Sequence, residues 1–506
     1  MANILTSWML KILNSQQIRE LDTYTIKHTP VESIVLMEHA CQAFVQWFTE
    51  RYDASHKIGI ICGTGNNGGD GLGIARLLTD WGYPIKLWIV RGTVKETDDF
   101  KINFGRLPET IKVIDFLSGP PDIFSDRHIL IDAIFGSGLS RPAEGIYALA
   151  IQAINESSKV CVAVDVPSGL FADKHSEGAI VNADFTVSFE LPKLAFMLPE
   201  NYSYVGSWHI VDIGLSKAFV KDVTTGRYYL EKKSVKKILK QRSTFDHKGD
   251  HGRALLMAGS FGKMGAAVLA ARAALRAGVG LLTVHVPKQG YLIIQSNVPE
   301  AMASIDANED ILTSHPPLDS FDAVGIGPGI GQSEKTVAAL KELLISFKQL
   351  VIDADALNIL GSHRDLLRAI PPGCILTPHP KEFERIVGPW TNDFERLEKL
   401  VKLAKETQST IILKGAHTSI ASAYGEVHFN STGNPGMATG GSGDVLTGML
   451  TGLLAQKYSS EDAAILGVYL HGLAGDLAAR EKGMNSLIAS DIIDFLPAAF
   501  KDLARA

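Results

Sequence analysis

Ile58-Gly-Ile-Ile-Cys62 runs directly into Gly63-Thr-Gly-Asn-Asn-Gly-Gly-Asp70 and then into an apolar helical pattern from Leu72 to Leu78. A short run of five residues without a polar face reads as a strand covered on both sides, and a Gly loop opening into a helix is how a parallel β-α-β unit begins. Outward from this stretch the pattern repeats. Apolar runs at residues 85–90, 129–131, 160–164, 185–189 and 208–211 alternate with amphipathic segments, and four of the six runs end in a polar residue or a Gly loop. That edge is where open α/β sheets bind ligands. The pattern fails over residues 218–248, where Lys232, Lys233, Lys236, Lys237, Lys240 and Arg242 cluster, and resumes at 254–258, 281–286, 323–326, 350–352, 374–376 and 410–413. The expectation is an α/β chain of two domains, residues 1–220 and 221–506, each with its own sheet, the basic cluster being a solvated helix face beside a linker. The two halves carry different loop motifs, so the chain reads as a fusion rather than a duplication.

With 506 residues, 46% hydrophobic and 21% charged, the chain can bury large cores and is not a disordered or single-module protein. A net charge of −6 supplies no basic field for nucleic acid. Cys41, Cys62, Cys161 and Cys374 form no CxxC pair, which predicts reduced thiols and a cytoplasmic protein. No apolar run reaches membrane-span length, and residues 1–13 lack a basic n-region and are interrupted by Lys11, so neither a span nor a signal peptide is expected. No membrane partner is expected, and a homo-oligomer is.

Gly63, Gly65 and Gly68 fit a GxGxxG turn, but the loop carries Asn66, Asn67 and Asp70 where a dinucleotide fold presents bare N–H groups to phosphate. An ionised Asp70 would repel a pyrophosphate, and the second strand ends in Arg91 instead of a ribose-binding acid, which disfavours a hydride-transferring dehydrogenase. Asn67, Asp132 and Ser168 offer hard oxygen donors from three strand-end loops with a single formal charge, a set suited to a monovalent cation; alternatively each merely caps a strand or turn. Gly136-Ser137-Gly138-Leu139-Ser140-Arg141-Pro142 could wrap phosphate, and Asp165 ends its strand where a catalytic carboxylate would meet a ligand, or else forms an Asx turn with Pro167. Lys193 is a secondary candidate helper.

In the second half, Gly433-Asn434-Pro435-Gly436-Met437-Ala438-Thr439-Gly440-Gly441-Ser442-Gly443-Asp444 precedes a helical run, giving N–H groups at a helix N-terminus for phosphate or a developing oxyanion and Asp444 as a base. Lys414-Gly415-Ala416-His417-Thr418 leaves a strand, a place for a second phosphate or ribose contact. Thr377-Pro-His379-Pro380-Lys381-Glu382-Phe383 offers His379 and Glu382 at the same edge, and residues 353–358 and 325–329 are further strand-end loops.

The motifs Asn66 to Asp70, Asp132 to Gly138 and Asp165 to Gly169, in that order, resemble the NAD(P)H-hydrate epimerase domain, or YjeF N-terminal domain, over about residues 12–215. The resemblance implies a Rossmann-like fold in which Asn66, Asn67, Gly68, Gly69, Asp70, the Gly136 to Pro142 loop and Asp165 contact the damaged nucleotide. It also implies that Asn67, Asp132 and Ser168 hold potassium. The loops of the second half resemble the ribokinase-like fold, specifically the ADP-dependent NAD(P)H-hydrate dehydratase, over about residues 230–500. His379 departs from the asparagine of the sugar kinases' Asn-x-x-Glu pattern. By this resemblance Gly329, His379 through Glu384 and Arg385, and Asp444 touch the hydrate, while Lys414 to Thr418 and Asn434 to Gly443 hold ADP, with Mg²⁺ screening the phosphates. The activity implied is an isomerase and a lyase in one chain: epimerisation of R and S hydrates of NADH or NADPH, and dehydration of the S form at the expense of ADP, giving AMP and phosphate. The alternative is a ribokinase-like kinase of a vitamin alcohol fused to a non-catalytic Rossmann-like binding domain.

Overall fold

The structure, a computed structural model, describes residues 9–29, 31–118 and 122–505. Most of the 1–13 stretch therefore lies outside the described residues. The chain forms two compact units, one of residues 11–225 with 392–394, the other of residues 226–391 and 395 onward together with Met9 and Leu10.

The first unit holds a seven-stranded sheet, β2 (Ile58–Cys62), β3 (Ile85–Ile89), β4 (Lys112–Asp115), β5 (Ile129–Ala133), β6 (Val160–Val164), β7 (Phe185–Phe189) and β8 (Ser207–Val211), in the order β4-β3-β2-β5-β6-β7-β8. All neighbours pair in parallel. Every residue of β2 and β5 is buried, because apolar cores cover the sheet on both faces. The strand order reverses between β2 and β5, and the site opens at that switch point. β4 is not evident in the sequence, since its residues are mostly exposed and lack the apolar run of a covered strand.

The residues read as a Gly loop are partly helix: the helix following β2 spans Asn66–Asp80, with Gly65 as its cap. Its glycines serve packing. A Cβ at Gly68 would lie 1.9 Å from the Gly63 carbonyl oxygen, and one at Gly71 would lie 2.5 Å from Cys62 Sγ.

The second unit's sheet adds β9 (Arg227–Tyr229), β10 (Arg253–Met257), β11 (Leu281–Val286), β12 (Met302–Ile305), β13 (Ala323–Ile326), β14 (Leu350–Ile352), β15 (Ile375–Leu376), β16 (Thr410–Leu413), β17 (Ser419–Ala421) and β18 (Val427–Phe429). Its order is β1-β9-β18-β17-β16-β15-β14-β13-β10-β11-β12, with the two-residue β1 (Leu10–Lys11) at the edge. Pairing is parallel from β12 across to β16, then antiparallel through the β16-β17-β18 meander. The basic cluster is solvated as expected, with Lys233, Lys237, Lys240 and Arg242 exposed, but on short turns rather than a long helix, Lys232–Val235 and Lys236–Ile238. Lys232 pairs with Asp502 at 3.2 Å, and just beyond these turns Lys240 Nζ donates to the Lys457 carbonyl at 2.8 Å. Among the described residues, no helix is long and apolar enough to cross a membrane.

Candidate functional sites

In the first unit a cavity of about 680 Å³ opens over the carboxyl ends of β2, β5 and β6. Asn66, Asn67, Asp70, Gly136 to Arg141 and Asp165 line it; Gly68, Gly69 and Pro142 do not, the two glycines being spent on helix packing. Asp165 directly follows the buried strand β6 and has φ of +65°, a left-handed backbone that a non-glycine residue holds only when its surroundings demand it. Those surroundings are an ion pair and three further donors, one of them the Phe189 N–H at 3.3 Å from Oδ1. Lys193 Nζ, with its side chain 2% exposed, lies 3.0 Å from Asp165 Oδ1, and the Ser137 N–H donates to Oδ2 at 3.2 Å. Ser188 Oγ donates to Oδ1 at 3.3 Å. Burial alone would push the Asp165 carboxyl up, but Lys193 and the Ser137 hydrogen bond outweigh it and hold the group below the usual carboxylate range. Asp165 is therefore an ionised carboxylate inside the cavity.

Asp132 lies beneath the cavity, fully buried. Its Oδ2 accepts the Ser168 N–H at 2.8 Å, and its Oδ1 accepts the Ser168 hydroxyl at 2.6 Å and the Ile134 N–H at 3.2 Å. Burial pushes its carboxyl up to about 6, with the Ser168 hydrogen bonds opposing and no basic side chain acting on it. A buried carboxylate lacking a counter-charge, a hydroxyl bonded to it, and the nearby Phe135 carbonyl, 3.2 Å from Ser168 Oγ, form a hard-oxygen donor set. Such chemistry fits a monovalent cation. Asn67 could add only its Oδ1, since its Nδ2, buried without a hydrogen-bond partner, is a donor.

Three features of this site were not evident in the sequence. The helix Ser15–His28 brings Asp22 to the cavity, where burial and then the Asp165 charge, against Lys193, push its carboxyl to about 6. From the same helix Arg19 donates to the Gly138 carbonyl at 2.9 Å and fixes the loop. Asp70 is not the repelling carboxylate the sequence suggests: burial, then Asp165 and Asp22, hold it well above the usual range and reduce its charge. An amphipathic helix forty residues upstream of the first motif gives no local signal of what it covers.

The second site gathers at the carboxyl ends of β14, β15 and β16. Asp353, which follows β14 and is 1% exposed, accepts from Lys414 Nζ at 3.0 Å through Oδ1 and from Thr447 Oγ1 at 2.6 Å through Oδ2. Burial opposes ionisation, but Lys414 and Thr447 prevail and hold its carboxyl below the usual range. Lys414 also stands 4.0 Å from Glu382 Oε2. Above this pair begins the helix Ser442–Ala455, capped by Gly441 at φ +90°, and a Cβ at Gly443 would sit 3.5 Å from Lys414 Nζ. The first turn thus exposes its N–H groups beside an ammonium. Asp444 in that turn has no such partner: burial and then Asp353, against Lys414, push its carboxyl to about 6.

His379 caps the helix Pro380–Val387, its Nδ1 accepting the Lys381 N–H at 3.1 Å and the Glu382 N–H at 3.3 Å, while Glu382 Oε2 accepts the His379 N–H at 2.8 Å. An accepting Nδ1 places the proton on Nε2, and burial followed by the charges of Lys414 and Arg385 keeps the ring neutral by lowering its pKa. The Phe383 side chain is fully buried and packs against Trp390, so it does not face a ligand; the apolar side of its helix claims it. Glu384 and Lys381 are exposed, and Arg385 bonds Asn358 Oδ1. Gly329, at φ +67°, has its carbonyl held by Ser260 Oγ at 2.7 Å.

Of the nucleotide-loop residues, Thr418 Oγ1 closes the Gly415 turn at 2.9 Å, whereas His417 is turned to the Asn430 carbonyl at 3.1 Å. Asn434 Nδ2 donates to Asp476 at 2.9 Å, and Met437 packs against Gly475, where a Cβ would meet its sulfur at 2.2 Å. Asp353, Thr447 and His471 were not assigned from the sequence. His471, pushed down to about 4 by burial, bonds the Ser442 carbonyl at 3.0 Å and so steadies the helix start. Asp353 carried the signal that marked Asp165, a carboxylate directly after an apolar strand.

Two family models match: NAD(P)H-hydrate dehydratase over residues 254–498, and YjeF-related protein N-terminus over residues 33–195. The bifunctional NAD(P)H-hydrate repair enzyme Nnr of Moorella thermoacetica is 38% identical over 518 residues, 97% of each chain. That of Escherichia coli K12 is 34% identical, covering 91% of this chain and 88% of its own. The solved ADP/ATP-dependent NAD(P)H-hydrate dehydratase of Bacillus subtilis, co-crystallised with ATP/Mg²⁺, aligns at 33% identity with a TM-score of 0.48, covering 54% of this chain and 97% of its own. With relatives matched along nearly their whole length and each unit carrying its own strand-end site, the chain belongs to the family of bifunctional NAD(P)H-hydrate repair enzymes.

Proposed function

We propose that the first unit interconverts the R and S hydrates of NADH or NADPH and that the second dehydrates the S form at the expense of ADP. The observation that carries this reading is the alignment of both halves with both halves of the repair enzymes. The fusion has a chemical logic: hydration gives two epimers, a stereospecific dehydratase uses one, and an epimerase returns the other to it.

In the cavity, Asp165 is ionised and aimed by Lys193, so it can take a proton from the hydrate and return it. Asn66, Asn67, Asp70 and the Gly136 to Arg141 loop would hold the nucleotide. Asn67, Asp132 and Ser168 would hold potassium, which supplies the counter-charge Asp132 lacks. In the second unit Asp444 would take the proton of the ring hydroxyl as the terminal phosphoryl of ADP is transferred to it, with Lys414 and the N–H groups after Gly441 countering charge on the phosphoryl oxygens. Loss of phosphate, assisted by the ring nitrogen, leaves an iminium cation, and release of a proton from the adjacent ring carbon then gives NAD(P)H beside AMP and phosphate. Asp353 is already engaged by Lys414 and Thr447, and magnesium would be held chiefly by the nucleotide, screening its phosphates. His379 and Gly329 would face the hydrate; Asn434 to Gly443 and Lys414 to Thr418 would border ADP, with His417, Asn434 and Met437 offering backbone rather than side chain.

The test is separation of R and S hydrates by chromatography beside measurement of phosphate and NAD(P)H release. Epimer exchange without nucleotide, and NADH formation from the S hydrate with ADP, are expected. A stable phosphorylated product would favour the kinase alternative. Exchange that is equal in sodium and potassium buffers would remove the potassium assignment.

A further inference from the structure

The β17–β18 turn of the second unit holds a side-chain cluster that neither reaction uses. Glu426 precedes β18 and His428 lies within it, two residues apart in extended chain and hence on one face. Glu461 stands in the first turn of the helix Ser460–Lys482. One ligand atom from each lies within 4.8 Å of the others, and His428 Nε2 is 3.0 Å from Glu461 Oε1. The cluster is enclosed: the His428 side chain is 0% exposed and that of Glu461 12%.

Its hydrogen bonding does not close. His428 Nδ1 and Glu426 Oε2 are buried with no partner, as is Oδ1 of the adjacent Asp462. With Nε2 facing Glu461, the other ring nitrogen is left unsatisfied in every protonation state of the imidazole. Charge is equally unbalanced, since two glutamates share the single imidazole of His428. Unpaired buried carboxylates are costly, and a divalent ion would satisfy them and an imidazole nitrogen together.

We propose that Glu426, His428 and Glu461 bind one zinc-class divalent ion that ties the β17–β18 hairpin to the start of the following helix. One imidazole and two carboxylates suit such an ion, with water completing its shell, whereas a calcium site would be built from oxygens alone. The ion is structural: it joins elements already in place and takes no part in either reaction.

The full chain, stripped with chelator and passed into metal-free buffer, is titrated with Zn²⁺ and with Co²⁺. One equivalent of zinc retained per chain through gel filtration, visible Co²⁺ bands, and a melting midpoint raised by about 5 °C with zinc are expected. Glu426→Gln and Glu461→Gln alter partly exposed side chains and should each weaken zinc binding roughly tenfold or more while keeping the wild-type circular dichroism. If one variant fails to fold, the other decides. No zinc retained by the wild-type chain, or an equivalent retained undiminished by a folded variant, overturns the site.

Discussion

The two units each bury an Asp–Lys pair at 3.0 Å just past the end of a parallel strand, Asp165 with Lys193 after β6 and Asp353 with Lys414 after β14. In both, the ammonium holds the carboxylate ionised against burial. The difference lies in what the pair faces. Asp165 opens into a cavity and is free to meet a ligand, whereas Asp353 is closed off by Thr447 and serves to aim Lys414 under a helix N-terminus. The titrating acid of the second site is the unpaired Asp444, near 6. One construction thus yields a reacting carboxylate in one sheet and a positioning one in the other.

Breaking the reacting groups should have the largest effect. Asp444→Asn keeps the shape and removes the base, so phosphate release should fall roughly 10²- to 10⁴-fold while epimer exchange is untouched. Wild-type phosphate release would move the base elsewhere. Asp165→Asn should slow epimer exchange about a hundredfold, more than it weakens hydrate binding, with dehydration of pure S hydrate unchanged. Weakened affinity at unchanged exchange would reduce Asp165 to a binding residue.

Breaking the lysines separates the pairs by their enclosure. Lys193→Met leaves a buried charge and should cost about 3–5 kcal/mol, less whatever Asp165 recovers by taking up a proton. Wild-type Asp165, with its pKa depressed on folding, contributes stability above the unfolded carboxylate value that is lost as pH falls through the folded one. In the variant that pKa is raised instead, and stability should decline as pH rises. Lys414→Met should cost less, since its side chain is 24% exposed and Thr447 still holds Asp353. Urea denaturation at pH 5 and 8 checks both, and equal losses would erase the distinction.

The smallest effect is in pH dependence. Asp444 near 6 predicts that dehydration halves at about pH 6 and falls tenfold per unit below it, whereas the depressed Asp165 gives exchange no such loss over the same range. Asp22 lines the same cavity as Asp165 and Asp132 lies beneath it, both near 6, so exchange is followed in Asp22→Asn and at saturating potassium as well. Coincident profiles for the two activities would contradict the assignment of separate acids.

Two covered sheets, with parallel strands at their centres, could be read from the chain alone, because runs such as Ile58–Cys62 and Leu350–Ile352 have no polar face and can exist only between covering layers. It also marked Asp165, Asp132 and Asp444, since a carboxylate beside a strand end or Gly loop is a local pattern. Edge and meander strands such as β4 and β17 were beyond it, being short and shaped by their neighbours. Folding alone set the ion pairs with Lys193 and Lys414, the cover of Asp22 and Arg19, the spending of Gly68 on packing, and the burial of Phe383. Pairing and burial are properties of distance between segments far apart in the chain, and they set which carboxylates stay ionised and which titrate near neutrality.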